Sequence, residues 1–298
     1  METVLSIHNL TKRYGRITAV KDLSLDVQRG NVFGILGPNG SGKTTTLGIL
    51  LDVINRTSGE FSWFGEPPTK DMRKRIGAIL ETPIFYPYLS AAKNLEIVAE
   101  IKGASKDNID PVLKTVELYK RRDDKFRTYS LGMKQRLSIA SALNCAPEVM
   151  ILDEPTNGQD PQGIAEIREL IKKIASDGKT IILASHLLDE VQKVCTHFCV
   201  LKQGVLLYSG SVDEIGKGAI SVEVTAETDI EKLLKEWNGA TEVKSEESNF
   251  IVKLVEGKTA SDLNKYLFEQ GRVASHLVTQ KKSLEKQFLE LLAESEHA

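Results

Sequence analysis

The chain has 298 residues, 41% hydrophobic and 27% charged, and its 39 Lys and Arg against 41 Asp and Glu leave a formal net charge of -2. That balance excludes a purely electrostatic nucleic-acid binder, and the apolar content excludes a chain that is mainly disordered. Apolar stretches such as Leu47 to Leu51 and Ile181 to Ala184 fall far short of the roughly 20 residues that cross a bilayer. The start Met1-Glu2-Thr3-Val4 has no basic region leading into the apolar stretch and cleavage site of a secretory signal. Cys145, Cys195 and Cys199 make an odd count without a CxxC pair, which fits a reducing cytosol. The length is that of about two domains.

In chain order, residues Leu5 to about Lys217 alternate short β-rich runs with longer helical ones, an α/β pattern. The run Val32 to Leu36 is continuously apolar, as a central strand covered on both faces must be, and a helical run Thr45 to Leu51 follows it. A mostly helical segment comes next, with helices predicted over Ser90 to Lys102, Asp110 to Tyr119 and Leu131 to Cys145, where apolar residues recur at helical spacing. Two further apolar runs, Val149 to Leu152 and Thr180 to Ala184, belong to the same largely parallel sheet, and Phe198 to Leu201 is a later strand. After Gly216-Lys217-Gly218 the pattern becomes β-α-β-β-α-β-α. Strands are expected from Ile220 to Ala226, Thr241 to Ser245, Phe250 to Val255 and Val273 to Val278. The expected helices are Asp229 to Trp237, Ser261 to Gln270 and a last one bearing Leu284, Phe288, Leu291 and Leu292. This order is that of a ferredoxin-like accessory domain. Residues 218–298 hold more acidic than basic side chains and so are poorly suited to nucleic acid or anionic lipid.

Between the first apolar strand and the helical run lies Gly37-Pro38-Asn39-Gly40-Ser41-Gly42-Lys43-Thr44, which matches G-x-x-x-x-G-K-[ST] in the strand-then-helix context its mechanism needs. Glycines let the backbone wrap phosphate oxygens so that N–H groups and the helix N-terminus face the anion. Asn39, Gly40, Ser41, Gly42, Lys43, Thr44 and the following Thr45 are the candidate nucleotide-binding residues. Lys43 is expected to reach the β and γ phosphates of ATP, and the Thr44 hydroxyl to ligate Mg²⁺. The run ending at Leu152 is followed by Asp153-Glu154. Asp153 at a strand end suits Mg²⁺, and Glu154 suits a general base toward the attacking water. Cys195-Thr196-His197-Phe198-Cys199 brings thiols and an imidazole close together, but zinc takes four ligands in separated pairs, and core packing is the expected role.

The P-loop, the segment Tyr129-Ser130-Leu131-Gly132-Met133-Lys134-Gln135-Arg136 and the run Asp153-Glu154-Pro155-Thr156-Asn157-Gly158, taken together, resemble the nucleotide-binding subunit of an ABC transporter. The resemblance covers residues 1 to about 217. It implies a P-loop NTPase core of the ABC ATPase type, in α/β class, with a helical subdomain near residues 84–145, and leaves residues 218–298 as a small α+β domain. In that family an L-S-G-G-Q segment caps the ATP of the partner subunit. Ser130 and Gly132 are retained here, whereas Tyr129, Leu131 and Met133 replace the leucine, first glycine and glutamine. The resemblance further implies that Tyr14 stacks on adenine, that His186 contacts the γ-phosphate, and that Asp160 signals across the dimer, with Gln159 standing where leucine is usual. Glu81 takes the place of a glutamine that senses Mg²⁺ and the membrane partner; a carboxylate still offers oxygen to the metal but cannot donate a hydrogen bond.

Glu81-Thr82-Pro83-Ile84-Phe85-Tyr86-Pro87-Tyr88-Leu89-Ser90, with Ser130-Leu131-Gly132-Met133 and the appended tail, resembles the bacitracin-export and lantibiotic-immunity subgroup. The implied function is an ATP-hydrolysing subunit, with ATP and Mg²⁺, that drives a separate integral-membrane permease from the cytoplasmic face. A second copy completes a nucleotide-sandwich dimer, and no nucleic-acid partner is expected. The alternatives are a soluble ABC ATPase acting on ribosomes or DNA, which usually carries two nucleotide-binding units or a long coiled-coil insertion, and an ABC subunit for another substrate. A GTPase fits less well, because Asn157-Gly158-Gln159-Asp160 lacks the lysine of N-K-x-D.

Overall fold

A computed structural model describes residues 2–80, 84–215, 221–226, 230–246, 249–255 and 257–280. The chain opens with two long strands, β1 (Thr3–Tyr14) and β2 (Ile17–Gln28), paired antiparallel. After β3 (Val32–Leu36) and α1 (Lys43–Leu50), β4 (Ser58–Trp63) joins the other edge of β1 to complete a three-stranded sheet in the order β2-β1-β4. This layer was not anticipated from the sequence. Register shifts along the β1–β2 pair break the strict alternation of buried and exposed side chains, and with it the period-of-two signal by which a half-buried strand is recognised.

The second layer is built from β5 (Ile76–Ile79), β6 (Val149–Asp153), β7 (Thr180–Ser185), β8 (His197–Lys202) and β9 (Val205–Ser211), which with β3 form a six-stranded sheet in the order β5-β6-β7-β3-β8-β9. Pairings of β5 with β6, β6 with β7, β7 with β3 and β3 with β8 are all parallel. Every residue of β3, β6 and β7 is buried, which is why these strands read as unbroken apolar runs. Val4, Ile7 and Leu23 of the antiparallel layer share a core with Phe33, Ile151, Ile182, Leu47 and Trp63.

Helices α2 (Ala91–Lys102), α3 (Ile109–Thr115) and α4 (Leu131–Leu143) make the helical segment between β5 and β6, and α5 (Pro161–Ser176) and α6 (Leu188–Val194) follow β6 and β7. The helix expected to reach Tyr119 stops at Thr115. Glu117 turns into the left-handed region at φ 61°, and Leu118 N and Glu117 N fold back on Leu113 O and Lys114 O, a helix-ending motif that usually announces itself with glycine. Arg136 on α4 donates to Val116 O and Glu117 at the end of α3 and to Glu166 on α5. The expected helix Thr45 to Leu51 instead starts two residues earlier, at Lys43.

The chain separates into two compact units, Met1–Gly210 and Ser211–Ala298. The second begins with α7 (Val212–Ile215) and continues β10 (Ser221–Ala226), α8 (Glu231–Glu236), β11 (Ala240–Glu246), β12 (Asn249–Leu254), α9 (Ala260–Glu269) and β13 (Ala274–Gln280). Its strands are antiparallel in the order β11-β12-β10-β13, with the β-α-β-β-α-β succession of a ferredoxin-like unit. Val222, Val224, Val252, Leu263, Leu267 and Trp237 pack in its own core. The expected last helix, with Leu284, Phe288, Leu291 and Leu292, lies outside the described residues.

Trp63 is 1% exposed, and its indole N–H donates to Leu50 O at 3.1 Å, tying β4 to the end of α1. Trp63→Ala therefore opens a large cavity and orphans that carbonyl. The expected cost is about 3–5 kcal/mol, measured by urea unfolding of the full chain followed by circular dichroism; a loss below about 1 kcal/mol would show that the two layers are not joined there.

Candidate functional site

The turn between β3 and α1 is shaped by its backbone. Gly42, the residue before α1, has φ 103°, and a Cβ there would lie 2.5 Å from Ala19 O of β2. Neither requirement admits a side chain. No side chain caps the start of α1, and its first turn holds no acidic residue, so the N–H groups and the positive end of the helix dipole are presented to the turn. Asn39 and Gly40 are exposed, Thr44 is exposed and Thr45 half-buried at the head of the helix, and Ser41 is buried. The Ser41 hydroxyl has no hydrogen-bond partner among the described residues.

Lys43 is only 6% exposed. Its ammonium donates to Gly37 O at 2.8 Å and Pro38 O at 3.3 Å and lies 3.4 Å from Glu154 Oε1. The other oxygen, Glu154 Oε2, lies 2.8 Å from His186 Nδ1. Parallel pairing produces this juxtaposition. Asp153 stands opposite Ala184, so the next residue on each strand end, Glu154, and the residue two beyond Ala184, His186, leave the sheet side by side. Leu36 stands opposite Ser185, so the turn bearing Lys43 leaves from the same edge. Ligands of open parallel sheets sit in this position, outside the carboxyl ends of the strands. Asp153 is fully buried at the end of β6. Glu154 itself holds φ 47°, uncommon for a residue with a side chain.

The remaining candidates fall elsewhere. Tyr14, at the end of β1, is 47% exposed, with Lys12 Nζ 4.6 Å from its ring centroid, so it is not core packing. Ser130 is exposed and caps α4, accepting from Met133 N at 3.3 Å. Gly132 and Met133 fill the first turn behind it. A Cβ on Gly132 would lie 3.4 Å from Gln159 Oε1, so the start of α4 abuts the loop that leads to Asp160. Asp160 is exposed and caps α5, accepting from Gly163 N at 2.7 Å. Glu81 lies outside the described residues. Cys195 and Cys199 are buried; burial pushes the Cys199 thiol up to about 12 and raises the Cys195 thiol above its ordinary range.

Glu190 was not anticipated. It is 1% exposed on α6 and accepts from the hydroxyls of Thr156 and Ser185, the latter at 2.6 Å. Thr156 and Ser185 adjoin residues the sequence singled out, but a glutamate on a short helix, flanked by Asp189 and two residues from Gln192, reads as part of its solvated face.

Residues 20–157 match the family model described as ABC transporter. The chain is 38% identical to the uncharacterised ABC transporter ATP-binding protein YhcH of Bacillus subtilis (strain 168), over 99% of this chain and 98% of that protein. The chain belongs to the ABC transporter ATP-binding family. It is an ATPase whose hydrolysis is coupled to transport, and ATP-binding subunits of this family bind ATP and ADP and work as dimers with membrane permeases. The bacitracin transport ATP-binding protein BcrA of Bacillus licheniformis is 44% identical, over 73% of this chain and 72% of that protein. A solved dimeric, post-hydrolysis ATP-binding cassette, MJ0796 with ADP and Pi, superposes with a TM-score of 0.62 at 28% identity, over 70% of this chain and 98% of that one.

In this ABC ATPase the raised thiols make a clear expectation. At pH 8 both Cys195 and Cys199 are protonated and shielded, and thiolate is the reactive form. Dithionitrobenzoate should label no more than Cys145, which is half-buried, in the folded chain, and all three after denaturation. Rapid labelling of two or more thiols in the folded chain would overturn the burial described for Cys195 and Cys199.

Proposed function

We propose that this chain drives a separate permease that exports a peptide antibiotic, and that Glu154 is the general base of ATP hydrolysis. The base assignment rests on one observation, the Glu154 carboxylate lying between Lys43 at 3.4 Å and His186 at 2.8 Å. ATP phosphates would be received by the N–H groups from Asn39 to Thr45, with Lys43 exchanging its bonds to Gly37 O, Pro38 O and Glu154 for the β and γ phosphates. Once the lysine turns to phosphate, Glu154 is released to accept the proton of the attacking water, and His186 keeps the carboxylate aimed while reaching the γ-phosphate. The Thr44 hydroxyl and the Asp153 carboxylate are hard oxygen donors of the kind Mg²⁺ takes, and Glu81 is proposed as a further one. Mg²⁺ held there would neutralise charge on the phosphate oxygens.

Tyr14 is the proposed adenine platform, since its ring is open to solvent. Ser130, Gly132 and Met133 of a second copy are proposed to close over the γ-phosphate, the Ser130 hydroxyl still having a proton to donate after accepting from Met133 N, and Asp160 to relay closure across the dimer. The proposed division of labour is ATP binding in residues 1–217, with the helical part at 84–145, and an accessory role for 218–298. Beside the helical part Ile84 is 93%, Tyr88 62% and Tyr86 49% exposed, an apolar surface suited to a permease's helix. No helix among the described residues is long and apolar enough to cross a membrane, and attachment to the inner face through the permease is the proposed location. The peptide antibiotic is proposed from the 44% identity to the bacitracin transport protein and from the run Ile84 to Ser90.

Glu154→Gln keeps shape but loses the base, so hydrolysis should slow by roughly 10²-fold or more while ATP binding persists. Light scattering should then detect ATP-trapped dimers. Near-normal turnover would remove Glu154 from its role, and a persistent monomer at saturating ATP would remove the sandwich. Expression of the chain with its permease in a sensitive bacterium should raise survival against bacitracin or a lantibiotic. Polar replacement of Ile84 and Tyr88 should abolish that gain and leave ATP binding intact. Unchanged sensitivity despite confirmed assembly would reject the export reading and leave the ATPase.

A further inference from the structure

We infer that Glu190 is a positioning residue whose buried carboxylate locks the loop bearing Glu154 to the loop bearing His186; the inference rests on the roles proposed above for those two. The Glu190 side chain touches neither of them. One of its oxygens accepts from Thr156, two residues after Glu154, and the other accepts from Ser185 at 2.6 Å, one residue before His186. Ser185 Oγ also accepts from Leu187 N at 3.0 Å, so the same hydroxyl fixes the chain on both sides of His186. Thr156 is 4% exposed and Ser185 fully buried, which puts the three groups in a water-excluded network where each bond is strengthened and each loss is costly.

Two features make this more than a packing contact. The first is that Glu154 sits in the left-handed region at φ 47°, a conformation that persists in a non-glycine residue only when its surroundings over-determine it. Glu154 N donates to Ala184 O at 3.0 Å and Asn157 N donates to Glu154 O at 3.1 Å; the Thr156–Glu190 bond supplies the side-chain tie between them. The second is the depth of α6. Gly34 on β3 leaves space into which Val191 and Cys195 press, both 3.0 Å from where a Cβ would stand. Glu190, beside Val191, is thereby held against the sheet edge from which all three loops depart. A carboxylate is the side chain that suits this place, because it offers two acceptors, one for each loop.

The loss of such a residue should appear in kcat. A displacement of about 1 Å at the base costs as much as 10²-fold, while the phosphate-binding turn is left in place. In the full-length chain, Glu190→Ala should lower kcat for ATP by roughly 10- to 100-fold and change KM by less than about threefold. Ser185→Ala and Thr156→Val should each lower kcat. Combined with Glu190→Ala they should add little, because groups acting as one unit are not additive. Thr156→Ser, which keeps the hydroxyl, should recover most of the rate lost in Thr156→Val. Should Glu190→Ala fail to fold, the two hydroxyl variants carry the same test. A kcat within about twofold of the parent in all three, or losses that multiply, would overturn the clamp. Glu154→Gln measured alongside separates the two readings. If it turns over normally the base assignment falls and the clamp with it; if it is inactive while the Glu190, Ser185 and Thr156 variants work, only the clamp falls.

Discussion

Parallel pairing of β6 with β7 and of β7 with β3 is the constraint on which the rest of the molecule depends. In register, Asp153 faces Ala184 and Leu36 faces Ser185, so three loops leave one sheet edge together. Each loop carries a charged or titratable side chain that would have little chemistry alone: Lys43 after β3, Glu154 after β6, His186 after β7. Strands buried on both faces cannot slip by one residue without turning their whole side-chain set over, so the spacing of the three groups is fixed by the core rather than by the loops. Ala19 of the antiparallel layer, close against Gly42, and Glu190 of α6 brace this edge.

The ion pair at the edge constrains the mechanism proposed above. Lys43 and Glu154 are both largely buried, 6% and 14% exposed, and 3.4 Å apart. Separating such charges in a protein interior is expensive unless each finds a replacement. Under the proposed mechanism, phosphate would provide one for the lysine, and a water molecule aimed at the γ-phosphate one for the carboxylate. On the proposed reading, recognition of nucleotide and activation of the base are one exchange of partners.

Much of the site could be read from the sequence because its residues follow apolar strands. The glycine-rich turn and Asp153-Glu154 follow apolar runs of strand length, His186 was named by the family resemblance, and the parallel register brings the three together. Glu190 was not legible, since Leu188, Val191 and Val194 mark the apolar face of α6, a glutamate beside Val191 reads as lying off that face, and only the packing of α6 onto β3 at Gly34 takes it below the surface. The antiparallel layer was missed because its register shifts disrupt alternation, and the end of α3 because Glu117 adopts a conformation that the sequence marks only when the residue is glycine or asparagine. In the second unit the alternation Val222, Val224 survived intact, and there the strands were found within one or two residues of their observed limits.

Arg136 has a mechanical consequence. Its guanidinium, 15% exposed, grips Val116 O and Glu117 with one nitrogen and Glu166 with the other, spanning α4, the end of α3 and the sheet-side helix α5. A planar fork of this kind has geometry and not only charge to satisfy. Swinging the three-helix segment against the sheet therefore stretches one prong as soon as it begins. Glu117 and Glu166 are 73% and 45% exposed, so salt, which screens exposed charges well, would loosen both ionic prongs and leave the bond to Val116 O in place.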